Sequence, residues 1–112
     1  MWKEIVKNYF RVDEIKLNPR LKKIKRLILD GQVMFTLKAE LELDNDLDKR
    51  DVYEAILNAD EIYKVINSTN SYTGKKEKLY VIKGLTYDNI LIYTKGKIFN
   101  NKLYILRGRY ER

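Results

Sequence analysis

The hydrophobic pattern of this chain changes once, near residue 61, and that change constrains its fold more than any other feature. Before residue 61, apolar side chains recur every three or four positions, which is typical of amphipathic helices. After it, β-branched and aromatic residues form short runs separated by turn residues, which is typical of strands. Helices followed by strands indicate an α+β domain rather than an alternating α/β fold.

The first half of the chain predicts helices with defined ends. One covers residues 1–17 and ends before Pro19, because the residue before a proline is driven out of the helical conformation. Another runs from Leu21 to a stop at Gly31, and its lysines and arginines are expected to face water. Residues 32–36 are predicted to be a short extended piece, and residues 37–43 a short helix that the turn chemistry of residues 44–46 ends. Asp48 is expected to cap the last helix.

Four strands are predicted in the second half, over residues 61–67, 77–83, 89–95 and 102–109. Short connections between them, among them residues 96–101, favour neighbouring antiparallel pairs. We therefore expect a single domain over residues 1–112. Its N-terminal helices pack on one face of a four-stranded, mainly antiparallel sheet.

The charged residues are segregated along the chain. Lys and Arg number 23 against 16 Asp and Glu, which gives a net charge of +7. That charge divides into +6 over residues 1–29, −7 over residues 30–61 and +8 over residues 62–112. Clustered like charges raise the local potential, so a polyanion-binding face beside an acidic face is expected. A solvated lysine-rich surface with no ligand explains the same composition.

The chain contains no Cys and no His. Thiolate zinc sites, cysteine nucleophiles, Ser/His/Asp triads and histidine-pair ribonuclease sites are therefore excluded. The acidic segment 40–48 lacks the glycine-centred spacing of a calcium loop, so neither a metal nor a cofactor is expected. Apolar runs are far too short to span a bilayer, and no signal-peptide core is present, so we expect a cytoplasmic protein without membrane contact.

Alternation along the predicted strands assigns side chains to two faces. The face expected under the helices carries the aliphatic residues Leu79, Val81, Ile90, Ile92, Leu103 and Ile105. The opposite, water-facing set is expected to have a Tyr near the middle of each of three strands with Lys at the ends. It comprises Lys78, Tyr80, Ile82, Leu91, Tyr93, Lys95, Lys102, Tyr104 and Leu106, and Lys64 joins it if Tyr63 and Val65 point inward. Rings among ammonium groups suit single-stranded RNA, whose bases stack while its phosphates pair with cations. A half-exposed sheet that binds nothing fits the alternation as well.

Several short motifs resemble one bacterial family. They are the string Phe35-Thr36-Leu37-Lys38-Ala39, a segment of the form L-x-x-x-D-V-x-x-A-I over residues 47–56, and Ile62-Tyr63-Lys64. The strings over residues 78–83 and 91–95 are similar to that family's next two strands. Over residues 21–97 the chain thus resembles the MqsR-like branch of the RelE superfamily of bacterial toxins.

The resemblance implies a RelE-like toxin of a toxin–antitoxin system. Such a toxin is an endoribonuclease, or mRNA interferase, that cleaves mRNA without metal, on or off the ribosome, and is neutralised by a cognate antitoxin protein. Matched position by position, the resemblance places the catalytic residues at Lys64, Tyr80 and Lys95. The chain departs from the family in lacking the loop Gln among residues 68–76 and in carrying Lys38 where relatives often have His.

In the implied reaction, a ribose 2′-OH attacks its adjacent phosphate. We assign Lys64 and Lys95 to stabilising the charge that develops on phosphorus, and Tyr80 to proton transfer. Base stacking is assigned to Tyr93 and Tyr104. The cations assigned to RNA binding are Lys78, Lys97 and Arg107.

Two other functions fit the same residues. The first is a non-catalytic module of the same fold that binds RNA or a protein, using the acidic stretch 40–61 or an exposed edge strand. The second is an unrelated α+β structural protein. RNA binding without cleavage favours the former, and a tightly bound protein partner without any RNA binding favours the latter.

Overall fold

The structure is a computed structural model, and it describes residues 18–43 and 47–111. Its elements are α1 (Pro19–Leu29), β1 (Val33–Phe35), α2 (Leu37–Glu42), α3 (Lys49–Asn58), β2 (Lys64–Thr69), β3 (Lys76–Leu85), β4 (Leu91–Phe99) and β5 (Lys102–Tyr110). The predicted α+β class is confirmed. The helix predicted over residues 1–17 and the turn at residues 44–46 lie outside the described residues.

Side-chain caps fix where the described helices begin. The Oδ1 atom of Asn18 accepts the backbone N–H of Arg20 at 2.8 Å, and Pro19 takes a first-turn position where no N–H is needed. Asp48 and Asp51 form a capping box at the start of α3, so the predicted cap is confirmed. Each described helix is too short and too polar to cross a bilayer.

The sheet has five strands rather than the predicted four, in the order β1-β5-β4-β3-β2. The added strand, β1, runs parallel to β5 and pairs Val33 with Leu103 and Phe35 with Ile105. All other pairs are antiparallel, so the sheet is mixed. A three-residue strand is too short to show a period of two, and its partner lies at the far end of the chain. Local sequence patterns therefore predict only an extended segment there.

The last hairpin is longer than its sequence predicts. Residues 96–101 are predicted as a loop, but β4 continues through Gly96 to Phe99, and the reversal is made by Asn100 and Asn101 alone. Both asparagines have positive φ, 50° and 61°, which matches the tight turn that joins two twisted strands. A β-bulge between Lys95 and Gly96 shifts the register with β5.

The helices pack on one face of the sheet, called here the helix face. Its core joins Leu21 of α1 and Ile56 of α3 with Ile82 and Ile105 of the sheet. Glycines on this face permit close approach of α3. A Cβ atom on Gly84 would overlap the backbone carbonyl of Ala55, and one on Gly108 would lie 3.1 Å from the side chain of Val52.

The alternation of β3 is opposite to the predicted one. Tyr80 pairs with Gly96 and lies on the helix face, as does Lys78 two residues before it. Leu79 and Val81, predicted to lie under the helices, point away from them instead. Both alternate sets of β3 contain apolar residues, so hydrophobicity alone does not choose between them. Gly84 identifies the set that faces the helices, because only a residue without a Cβ atom fits against the backbone of α3 at that position.

Candidate nucleic-acid interface

The face of the sheet opposite the helices carries most of the basic residues of the second half of the chain, and we call it the cationic face. Three cross-strand pairs on β4 and β5 define its centre: Tyr93 with Arg109, Lys95 with Arg107, and Lys97 with Tyr104. Residues paired directly across antiparallel strands project to the same side. The basic and aromatic residues of the cationic face are Lys64, Lys83, Tyr93, Lys95, Lys97, Phe99, Lys102, Tyr104, Arg107 and Arg109.

One row of side chains crosses this face from β2 to β5. Lys64 pairs with Val81, Val81 with Lys95, and Lys95 with Arg107, so two lysines flank one valine and an arginine follows on the next strand. The Cα atoms of Lys64 and Lys95 are thus two strand spacings apart, or about 10 Å. Val81, between the two lysines, is fully buried although it points away from the described helices.

The cations of this face differ in whether a carboxylate already neutralises them. Lys97 Nζ lies 3.1 Å from Glu77 Oε2, Lys83 lies 3.7 Å from Glu111, and Arg107 lies 3.7 Å from Glu42. Lys64 and Lys95 make no ion pair within residues 18–43 and 47–111. The charge available to an incoming anion is therefore concentrated on the row through Lys64 and Lys95.

Aromatic rings flank that row. The Arg109 guanidinium lies 4.7 Å from the ring centroid of Tyr93, and the ring of Tyr104 is tilted against Phe99 at 6.5 Å. Tyr63, just before β2, holds the Lys83 ammonium 3.8 Å from its ring centre and is half-exposed. Sequence alternation identified Tyr93 and Tyr104. It missed Tyr63, which precedes its strand, although the residue lies inside the motif Ile62-Tyr63-Lys64.

The predicted catalytic set is divided between the two faces of the sheet. Lys64 and Lys95 share the cationic face, whereas Tyr80 is only 8% exposed on the helix face, where the Arg20 guanidinium lies 5.8 Å from its ring centroid. The prediction that these three side chains lie together is wrong. The reversed alternation of β3 is the cause, and Gly84 was the signal in the sequence that could have revealed it.

Of the residues predicted to bind RNA, Tyr93, Tyr104, Lys97 and Arg107 lie on the cationic face. Lys78 does not, because it shares the helix-face side of β3 with Tyr80. The cationic face as built can hold phosphates and stack bases. The phenol assigned to proton transfer, Tyr80, is not available to a ligand bound there.

One lysine predicted to face water is instead buried. Lys25 of α1 is fully buried, and its Nζ donates to the backbone oxygens of Leu57, at 3.0 Å, and of Ala59, where α3 ends. Burial lowers the pKa of Lys25 from 10.5 to about 7, while the nearby Asp60 opposes that shift. Lys25 therefore fastens α1 to α3 and adds nothing to the cationic face.

Comparison of the chain with protein-family models, with curated proteins and with solved structures gives no match.

Proposed function

We propose that this protein binds single-stranded RNA across its cationic face. The observation that carries the proposal is the row through Lys64, Lys95 and Arg107, in which two of three cations have no carboxylate partner in the described residues. Ammonium groups in such a row attract successive phosphates of a strand. Tyr93 lies two residues before Lys95 on β4, Tyr104 pairs with Lys97 from β5, and both offer rings to the bases.

A single strand suits this face better than a duplex. The bases of a single strand are free to stack on side chains, whereas A-form RNA buries its base edges in a deep, narrow major groove. A duplex presents mainly phosphates and ribose hydroxyls to a protein, so the aromatic rings of the face would have no bases to stack on. We therefore expect a preference for single strands, with weak discrimination among sequences.

Binding without cleavage is the form of this function that the arrangement favours. Attack of the ribose 2′-OH on its phosphate needs a proton donor or acceptor beside that phosphate. The residue assigned to this role, Tyr80, lies on the helix face. Metal-independent cleavage of mRNA and neutralisation by an antitoxin stay predictions of the family resemblance. Mapping the ends of a defined RNA after incubation tests cleavage directly, because 2′-OH attack leaves 2′,3′-cyclic phosphate ends.

The test of the proposal compares the double variant Lys64→Ala/Lys95→Ala with Lys23→Ala/Lys38→Ala. The second pair removes the same charge from exposed positions on α1 and α2. We expect the first variant to bind a labelled RNA of about 12 nucleotides roughly 10- to 30-fold more weakly at about 0.1 M salt. Each lost phosphate contact should also make the slope of log affinity against log salt shallower by about 0.7.

Fluorescence anisotropy at several salt concentrations measures both quantities. The control pair should retain the affinity of the unsubstituted protein. Equal affinity and equal salt slope for the two double variants would contradict the proposal, since net charge alone would then explain binding. A duplex of the same length that binds as tightly as the single strand would contradict the preference for unpaired bases.

A further inference from the structure

A second basic concavity lies at the end of the sheet where β3 begins and β4 ends, and we call it the end cleft. It has a volume of about 500 Å³. The start of α1 contributes Arg20, and the loop between β2 and β3 contributes Asn70 and Thr73. The strands contribute Lys76, Lys78, Tyr80, Lys97, Ile98 and Phe99.

The end cleft is strongly cationic. Among the described residues, its lining has five cations, Arg20, Lys75, Lys76, Lys78 and Lys97, and one carboxylate, Glu77, which Lys97 already neutralises at 3.1 Å. Within the described chain, neither Arg20 nor Lys78 makes an ion pair. The cleft thus offers several cations, on three separate segments, to one anionic ligand.

Tyr80 positions a cation in this cleft. Its ring is nearly buried, and the Arg20 guanidinium is held 5.8 Å from the ring centroid. A guanidinium over an aromatic face is attracted to the ring and loses rotational freedom. Tyr80 therefore positions Arg20 at the wall of the cleft, where its N–H groups match the geometry of a phosphate.

The end cleft is continuous with the cationic face. Lys97 and Phe99 belong to both, because their register places them on the cationic face while their side chains line the cleft. Phe99 is 58% exposed and sits against Tyr104, the last tyrosine of the cationic face. Tyr104 and Phe99 therefore form a path of two aromatic rings that leads from the face into the cleft.

From this continuity we infer that an RNA strand bound across the cationic face continues around the end of the sheet, and that its next nucleotides occupy the end cleft. The inference rests on the proposed function. Phe99 receives a base, and Arg20, Lys76 and Lys78 receive phosphates. A strand too short to reach past Tyr104 makes none of these contacts.

The experiment measures affinity for RNA of about 4 and of about 12 nucleotides, a short and a long strand within the range of about 4–16 nucleotides that single-strand binding folds cover. The variants are Lys78→Glu in the end cleft, Lys95→Glu on the cationic face, and Lys38→Glu as the control on α2. We expect Lys78→Glu to weaken binding of the long strand by about tenfold and to leave the short strand unchanged. Lys95→Glu should weaken both, and Lys38→Glu should weaken neither.

The outcomes separate the two proposals. If Lys78→Glu leaves the long strand unchanged, or weakens both strands equally, the continuation into the end cleft is wrong. If Lys95→Glu changes neither strand, the proposed function itself is wrong. The salt dependence gives an independent check, because the long strand should have a slope steeper by about 0.7 for each phosphate held in the cleft.

Discussion

The contact that Lys25 makes between α1 and α3 causes the free energy of unfolding to depend on pH. Its pKa of about 7 is below the ordinary 10.5, so between these values the folded protein releases a proton that the unfolded chain retains. The unfolded state therefore binds more protons in this range, and the free energy of unfolding rises as the pH rises from about 7 to 10.5. Below pH 7 the lysine is charged in both states, and the contribution is constant.

The Lys25→Met variant tests this account. The free energy of unfolding of the unsubstituted protein, minus that of the variant, should grow by on the order of 2–3 kcal/mol between pH 6.5 and 9.5. Denaturant titrations at several pH values measure this difference. Lys23→Met, at an exposed position on the same helix, should show a difference that does not vary with pH. The same flat profile for Lys25→Met would mean that Lys25 keeps an ordinary pKa.

At the scale of elements, the packing of α3 on the sheet depends on a glycine, Gly84, at the point of contact. The Cβ atom that Gly84→Ala introduces would overlap the Ala55 carbonyl, which belongs to helix backbone and does not move aside easily. We expect Gly84→Ala to lower the free energy of unfolding by about 3 kcal/mol or more. Denaturant unfolding measures the loss.

Gly31→Ala is the matched control. Gly31, unlike Gly84, has a left-handed backbone conformation, with φ of +73°, and a Cβ atom there meets open space. Its cost should therefore be limited to backbone strain, about 1 kcal/mol. Equal losses for the two variants would contradict the side assignment of β3, and with it the placement of Tyr80 on the helix face.

The same strand shows how far sequence reasoning reaches. Period and capping residues predict the described helices and four of the five strands, and alternation on β4 and β5 gathers Tyr93, Lys95 and Tyr104 correctly. On β3 both alternate sets are apolar, so the choice depends on contact with α3, which is distant in sequence. The prediction that Lys25 faces water fails for a related reason. The aliphatic part of a lysine side chain packs in a core as well as on a surface, and the backbone oxygens that accept from its Nζ lie at the end of α3, which is distant in sequence.

At the scale of the whole molecule, the described residues of the three charge blocks are distributed unevenly over the surface. The basic block after residue 61 supplies the cationic face. Within the acidic block, Glu40 pairs with Lys49, while Glu42 reaches Arg107 at the border of that face. The basic residues of α1 divide between the buried Lys25, the end cleft at Arg20 and exposed positions such as Lys23.

This separation of charge keeps the field of the cationic face from being cancelled by the acidic helices. Within residues 18–43 and 47–111, the carboxylates that pair with its cations are Glu42, Glu77 and Glu111, which pair with Arg107, Lys97 and Lys83. Lys64 and Lys95 remain, and the electrostatic attraction of the face for a polyanion should fall steeply with salt.

The measurement that tests this account most directly is a titration of the isotopically labelled protein with single-stranded RNA, followed by the chemical shifts of its backbone amides. Binding across the cationic face predicts that the largest changes fall on β4 and β5 around Tyr93, Lys95 and Arg107, and on Lys64 in β2. Changes confined to α2, α3 or the exposed side of α1, with the β4 and β5 amides unmoved, would contradict it.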